Sequence, residues 1–446
     1  MAHRVVIVGG GFAGLFATRA LRHRPWRAGG DLAVTLVDRA DHHLFQPLLY
    51  QCATGILSEG QIAPPLRHVF KRQRNVECVL AEMVDIDPVN RRVRTERPGG
   101  EPLELPYDDL LVAAGVQQSY FGHDEFARFA PGMKTIDDAL AIRRRVFGAF
   151  EIAETATDPQ QRTRYLTFAL VGAGPTGVEL AGQLRELATN TLRDEFRHIR
   201  PQDARVLLFD GDHVPLPSFG KKLSAKAAHA LDELGVESHM DSMVTHVDAD
   251  GITVREHSGD THRYDAGTVL WTAGVAAPPF AAALAAATGA TQDHCGRIHV
   301  RPDLTIPGHP EISVLGDLMS LDELPGVAEV AMQSGRYAAR RIRHRAAGKP
   351  FTTPFRYRDV GSAAYIARGK AVVSTGPLHF NGFLGWIAWL IIHIGYLTGF
   401  RNRAGALLTW WVTFTLEVRR ERAFTTHQIA RMRDVYKPDS ASTPRG

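Results

Sequence analysis

Residues 4–21 read RVVIVGGGFAGLFATRAL, and the fold turns on them. Residues 4–8 are a short β-branched run of the kind that fills a buried parallel strand. The run enters Gly9-Gly10-Gly11-Phe12-Ala13-Gly14, and a helical pattern follows to about Leu21. LAVTLVD, residues 32–38, supplies a second strand that ends on Asp38. Strand, G-x-G-x-x-G, helix, strand and acid together make a dinucleotide fingerprint. Gly9 permits the tight turn, Gly11 lets the backbone approach a pyrophosphate, and Gly14 lets helix and strand pack closely. The start of the helix presents free N–H groups to phosphates. Asp38 is placed to accept hydrogen bonds from a ribose 2′-OH.

The pattern recurs. YLTFALVGAGPTGVELAGQL, residues 165–184, repeats strand, Gly172-x-Gly174-x-x-Gly177 and helix, and ARVLLFD, residues 204–210, is the next strand, ending on Asp210. The gap from glycines to acid exceeds the usual ~20 residues, so the helix from Val178 is expected to run on to about His198. Gly211 and Asp212 follow Asp210, with no arginine beside it. An acid there favours the free 2′-OH of NADH and repels the extra phosphate of NADPH. LLVAAG (110–115) and VLWTAG (269–274) are apolar strands ending in Ala-Gly, and ISVLGDL ends a strand at Gly316-Asp317. Asp317 alone could equally be a helix N-cap.

Composition sets outer limits. The 446 residues, 44% hydrophobic and 22% charged, suit two or three globular domains. A net charge of +4, without a basic stripe, excludes a nucleic-acid-binding profile. Cys52, Cys78 and Cys295 form no C-x-x-C pair, so neither a zinc site, any other metal site nor a disulfide framework is expected. The first strand is read from Arg4, so no secretory leader is expected.

The other end differs. WIAWLIIHIGYLTGFRNRAGALLTWWVTFTL, residues 386–416, holds one ionisable residue, His393, before Arg401. The 18 residues from Phe383 to Phe400 sit at the lower edge of a membrane-spanning length, the run from Ala404 to Leu416 is too short to span, and Gly382, Gly385, Gly395, Gly399 and Gly405 weaken a long helix. Trp386, Trp389, Tyr396, Trp410 and Trp411 are residue types that favour the bilayer interface. Arg401, Arg403, Arg419, Arg420 and Arg422 are candidates for lipid phosphates. An anchor lying on one leaflet is the expected form, with His393 packed. The last residues, YKPDSASTPRG, read as a disordered end.

The motifs VVIVGGGFAGL, HHLFQPLLYQCATG, VGAGPTGVELAG, VLGDL, AEVAMQSG and AYIARGKAVV resemble those of type II NADH dehydrogenases, single-subunit NADH:quinone oxidoreductases that pump no protons. The resemblance implies an α/β fold of two Rossmann-like dinucleotide-binding domains, glutathione-reductase-like, with a C-terminal apolar helical membrane-anchoring segment. The expected division is 1–115 and 286–355 for FAD, 116–285 for NADH, and 356–446 for the anchoring region. FAD is assigned to Gly9, Gly11, Phe12, Ala13, Gly14, Asp38, Arg39, Gln46, Ala114, Gly115, Gly316, Asp317 and Ala331. NADH is assigned to Gly172, Gly174, Pro175, Gly177, Val178, Glu179, Asp210 and Gly274. Glu179, Gln333 and Lys370 are the expected catalytic residues. AEVAMQSG resembles the family's quinone motif A-Q-x-A-x-Q, with Glu329 in place of the first glutamine and Gln333 retained; an ionised glutamate cannot donate to a quinone carbonyl. The resemblance also implies a peripheral place on the cytoplasmic face of the cell membrane and allows a homodimer. Two rival readings are a peroxide or thiol reductase using Cys52 and a non-enzymatic flavin NADH sensor.

Overall fold

The computed structural model describes residues 2–22, 32–423 and 425. The polar end read as disordered lies outside them. The chain forms two compact units: Met1–Phe45, Ala63–Gln117 and Val275–Val360 make the first; Gln46–Ile62, Gln118–Gly274 and Gly361–Gly446 the second.

In the first unit, six strands order as Thr305–Ile306, His309–Val314, Asp109–Val112, His3–Val8, Leu32–Asp38 and Val76–Leu80. The last five run parallel. Val5, Ile7, Leu110, Leu111, Ile312 and Val314 are wholly buried, as a parallel sheet covered on both faces requires. The Phe12–Ala20 helix packs against Ala328–Ala346. Gly335 makes that contact close: a Cβ there would lie 2.2 Å from Ala13 O.

The second unit repeats the scheme with four parallel strands ordered Val236–His239, Arg205–Phe209, Thr167–Val171 and Thr268–Trp271. The second fingerprint helix is shorter than expected. It spans Pro175–Glu186, then widens into one turn at Leu187–Thr191, where Leu192 N–H reaches back five residues to Leu187 O at 2.9 Å. Thr189 Oγ1 donates to Arg185 O at 2.7 Å, a local bond that competes with regular helix. Beyond it, Glu154 accepts the N–H groups of Arg197, His198 and Ile199, and the chain leaves the axis.

The C-terminal part of this unit is a three-stranded antiparallel sheet, Ser362–Ala367, Lys370–Thr375 and Leu378–Asn381, followed by helices Gly382–Tyr396 and Phe400–Leu416. No helix among the described residues is long and apolar enough to cross a membrane. The first apolar run stops at 15 residues because the chain turns at Leu397 and Gly399 adopts φ 95°. Inward, Trp389 and Trp410 are buried and Gly385 brings the helix onto the sheet, a Cβ there meeting Ala371 O at 2.4 Å. Outward, Phe383, Leu384, Ile391, Phe400, Leu408, Trp411 and Leu416 are each more than 60% exposed.

The arginines expected at lipid phosphates divide. Arg401 and Arg420 are exposed. Arg419 is not available: it is buried and donates to Thr54 O at 2.9 Å and Gln183 O at 3.2 Å. Arg422 pairs with Glu195 at 2.6 Å, and Arg403 donates to Leu397 O and Gly395 O, closing the end of the preceding helix. His393 is packed as expected, stacked on Trp389 with Nδ1 2.8 Å from Trp389 O. Burial lowers its pKa to about 4.

Candidate functional site

Each unit builds the same cradle. In the first, Gly9 has φ 102°, and a Cβ there would stand 2.3 Å from Ala113 O. A Cβ on Gly14 would stand 1.8 Å from Gly9 O. Gly11, by contrast, has nothing within 4 Å of that position. The outer glycines are fixed by the fold, and the central one faces open space over a helix N-terminus, as a pyrophosphate requires. Asp38 Oδ2 accepts from Gly10 N–H and Oδ1 from Ala40 N–H, the latter at 2.7 Å. Burial pushes this carboxyl up, and the two N–H donors pull it back.

The second cradle repeats the arrangement. Gly172 has φ 106° with a notional Cβ 2.7 Å from Ala273 N, and Gly177 would meet Gly172 O at 1.8 Å. Gly174 is open, and Pro175 opens the helix. Asp210 accepts from Ala173 N–H through Oδ2 and from Asp212 N–H at 2.8 Å through Oδ1. Val178 is buried, and Gly274 has φ 73° directly after the apolar strand Thr268–Trp271.

Other expected residues gather around the first cradle. Gly316, φ 65°, packs where a Cβ would be 3.3 Å from Ala331 Cβ and 3.4 Å from Ala13 Cβ, so the fold brings Ala13, Gly316 and Ala331 together. Asp317 occupies the tight turn Gly316–Leu318. Ala114 and Gly115 follow the strand Asp109–Val112, Gly115 with φ 66°. Phe12 packs edge-on to His43 and Phe45. Arg39 makes only an exposed pair with Glu82 at 3.6 Å. Gln46 clusters with the second unit, where its amide donates to Lys134 O at 2.9 Å.

Gln333 is already engaged, donating to Arg358 O at 2.8 Å and accepting from Arg358 N–H at 3.0 Å. Glu329 is half-buried in the first turn of its helix. Burial raises its carboxyl, and nearby Asp359 raises it further. That direction favours the neutral acid, the form that can donate. Lys370 opens its strand and pairs with Glu233 on a solvated edge. Glu179 is buried and, among the described residues, accepts the Tyr365 N–H alone, at 3.3 Å. Burial pushes its carboxyl well above the ordinary range.

Several groups escaped the sequence reading. His43 is buried with Nδ1 2.9 Å from Gly10 O, on the backbone of the first cradle, and burial lowers its pKa to about 4. Its place inside HHLFQPLLYQCATG was the available signal. Glu186, Tyr365, Tyr50 and Arg419 are buried close together; Tyr50 and Tyr365 lie within HHLFQPLLYQCATG and AYIARGKAVV, but Glu186 lies in none of the quoted motifs. Cys52 is wholly buried, and burial pushes its thiol up to about 12, so it holds almost no thiolate at neutral pH. Asp293, His294 and Cys295 bring their ligand atoms within 4.8 Å of one another and could hold a metal ion. Asp293 is, however, already bonded to Arg297 Nε at 2.6 Å and to two backbone N–H groups.

Residues 3–335 match the pyridine nucleotide-disulphide oxidoreductase family, although the three cysteines of this chain are free. Type II NADH:quinone oxidoreductase Ndh of Mycobacterium tuberculosis is 47% identical over 96% of this chain and 91% of its own length. NdhA of the same organism is 48% identical over 96% and 90%. Among solved structures, that of NDH2 from Plasmodium falciparum in complex with NADH superposes with a TM-score of 0.84 at 17% identity, covering 94% of this chain and 99% of that one. Sulfide:quinone oxidoreductase from Aquifex aeolicus shares the fold at a TM-score of 0.71 and 17% identity, covering 94% and 96%. Near-half identity across nearly the whole chain, on a fold that repeats the dinucleotide cradle, places this protein in the type II NADH:quinone oxidoreductase family.

Proposed function

We propose that the protein oxidises NADH and passes the two electrons through FAD to a membrane quinone, without pumping protons. The observation that carries the reading is the duplicated cradle with its acid: two dinucleotides need two such sites, and only one can be the consumed substrate. In this reading FAD occupies the cradle of Gly9, Gly11, Gly14 and Asp38, with Phe12, Ala13, Arg39, Gln46, Ala114, Gly115, Gly316, Asp317 and Ala331 around it. NADH occupies that of Gly172, Gly174, Gly177 and Asp210, where a carboxylate rejects a 2′-phosphate.

Bound flavin supplies the two-electron chemistry. The chain's own residues bind, orient and move protons. Oxidation of NADH by quinone consumes one proton from solution beyond the transferred hydride, and Glu179 provides it: burial pushes its carboxyl well above the ordinary range, which favours the protonated acid. Glu329, as a neutral acid, and Gln333 contact the quinone, while Lys370 acts from the edge of its sheet. The outward face of the two C-terminal helices lies on the cytoplasmic leaflet of the cell membrane, with Arg401 and Arg420 at headgroup phosphates. The buried Cys52 thiol gives no support to a thiol or peroxide reductase.

The test is anaerobic. Flavin-loaded protein in lipid is given NADH and a short-chain quinone, and quinol is quantified against NADH consumed. One quinol per NADH is expected. Flavin that bleaches while the quinone stays oxidised would overturn the reading.

A further inference from the structure

Beside the second cradle the chain folds a three-stranded antiparallel sheet, Ser242–Asp248, Gly251–Glu256 and Thr261–Asp265. Its first strand is tied to the turn that carries the ribose acid. Ser242 N–H donates to Asp210 O at 2.8 Å, and Asp241 N–H donates to Asp212 O at 3.1 Å. Turn and sheet together enclose a cavity of about 270 Å³, whose lining includes Gly211, Asp241, Met243, Arg255 and Glu256. Gly211 directly follows Asp210, so a ribose held by that carboxylate stands at the mouth of the cavity.

Met243 and Arg255 lie directly opposite each other across the first two strands, so their side chains share one face of the sheet. Met243 Sδ is 2.7 Å from where a Cβ on Gly211 would stand; glycine at 211 leaves room for the thioether, and Arg255 reaches the same cavity from the next strand. The charges there are not equally occupied. Asp241 meets His213, and Glu256 meets His262 Nε2 at 3.5 Å. Arg255 is exposed and, among the described residues, its guanidinium has no hydrogen bond or ion pair. A guanidinium offers a planar fork of N–H donors that matches phosphate oxygens. Rossmann-like domains select their nucleotide at this place, an acid taking the free 2′-OH and a nearby arginine the 2′-phosphate. This chain has both: the acid ends its own strand, and a hairpin further along the chain brings in the arginine.

We propose that the second cradle also takes NADPH, with the Arg255 guanidinium on its 2′-phosphate, and that the protein oxidises NADPH as a second, weaker substrate. The inference rests on the second cradle being the NADH site. Asp210 repels the added phosphate and Arg255 draws it, so NADPH is admitted at lower affinity than NADH instead of being shut out. The reaction balances as it does for NADH. NADPH loses a hydride and becomes NADP+, and the quinone gains that hydrogen, its two electrons and one proton from solution to become quinol.

The experiment is calorimetric titration of flavin-loaded protein with NAD+ and with NADP+, which differ only in the 2′-phosphate, alongside NADH and NADPH oxidation by a short-chain quinone. In Arg255→Ala the affinity for NADP+ relative to NAD+ should fall at least ~10-fold, the loss of one charge-assisted contact. Arg255→Lys, which keeps the charge, should recover part of it. Asp210→Asn should raise the same ratio at least ~10-fold, and adding Arg255→Ala should cancel most of that gain. NADPH oxidation should move in step with the ratio. Because Arg255 is exposed, its variants carry the test even if Asp210→Asn does not fold. A ratio unchanged in Arg255→Ala, or NADP+ that does not bind the wild type, would overturn the inference. NAD+ binding that is undiminished in Gly174→Ala would overturn the cradle assignment, and the inference with it. Absence of quinol with either nucleotide would overturn the enzymatic reading, while a ratio set by Arg255 would still establish the phosphate site.

Discussion

Within one cradle, Gly174→Ala and Gly177→Ala should fail in opposite ways. At Gly177 the new Cβ would lie 1.8 Å from Gly172 O, 2.8 Å from Thr272 Oγ1 and 2.9 Å from Gly172 C. Two of those atoms are backbone of the turn itself, so relief to even 3.0 Å requires about 1.2 Å of movement, the difference between 3.0 and 1.8 Å. Overpacking of that kind costs on the order of 1–3 kcal/mol or more. Gly177→Ala should therefore lower the denaturant midpoint of the second unit as well as NADH affinity. Gly174 has φ −69° and ψ −177°, a conformation alanine adopts freely, and nothing within 4 Å of its Cβ position. Its replacement should leave stability unchanged or raise it by ~0.4–1 kcal/mol. The methyl instead occupies the space above the helix N-terminus. Its clash with a pyrophosphate should cost roughly 1–3 kcal/mol, a rise in Kd of about fivefold to 150-fold. Denaturant unfolding without ligand and NADH titration of both variants separate the two effects. A Gly174→Ala protein that binds NADH as tightly as the wild type would refute the assignment of that open side to the phosphates.

Trp389→Ala should destabilise the second unit by about 3–5 kcal/mol, since the indole is wholly buried against Tyr365, His393 and Trp410; a denaturant midpoint unchanged from wild type would contradict it. The pKa values of His43 and His393 are lowered from 6.5 to about 4, so their stabilisation is complete above pH 6.5 and is lost as pH falls from there toward 4, by roughly 3 kcal/mol each. Unfolding midpoints measured between pH 7.5 and 4.5 should show that loss, and His393→Leu should flatten it for the second unit. Leu384→Asp with Leu408→Asp removes two outward apolar side chains, and partition to anionic vesicles should fall at least ~10-fold with the denaturant midpoint unmoved. Cys52→Ser should retain quinone reduction and its response to peroxide, because the thiol is buried and neutral; loss of a peroxide-dependent activity would reinstate the thiol reading.

Both cradles were legible because their demands are local. Gly9, Gly14, Gly172 and Gly177 each leave no room for a Cβ, and that requirement is written as a spacing. The acids Asp38 and Asp210 end strands whose β-branched character is equally plain. The end of the second helix was not legible, since it depends on Glu154, more than 40 residues upstream, taking the N–H groups of Arg197 to Ile199. In the tail, both faces of each helix are apolar, and sequence cannot tell that Trp389 turns inward while Trp411 turns outward. Nothing in AEVAMQSG announces that Gln333 also bonds the backbone of Arg358. Arg419 read as one more cation near a membrane, and its true partners lie 365 and 236 residues away.

That distant pairing has a practical consequence. The second unit takes in residues 46–62 early in the chain, and Arg419 reaches Thr54 only after both C-terminal apolar helices have been made. Those helices are thus not a detachable tail. A truncation meant to yield a detergent-free enzyme would take from Thr54 O and Gln183 O the buried Arg419 guanidinium that bonds them, and each such charged hydrogen bond lost costs about 1.5–3 kcal/mol. The shortened chain would tend to precipitate rather than dissolve. Solubility is better sought by rewriting the outward side chains, from Leu384 to Trp411, with the polypeptide kept intact through Arg422.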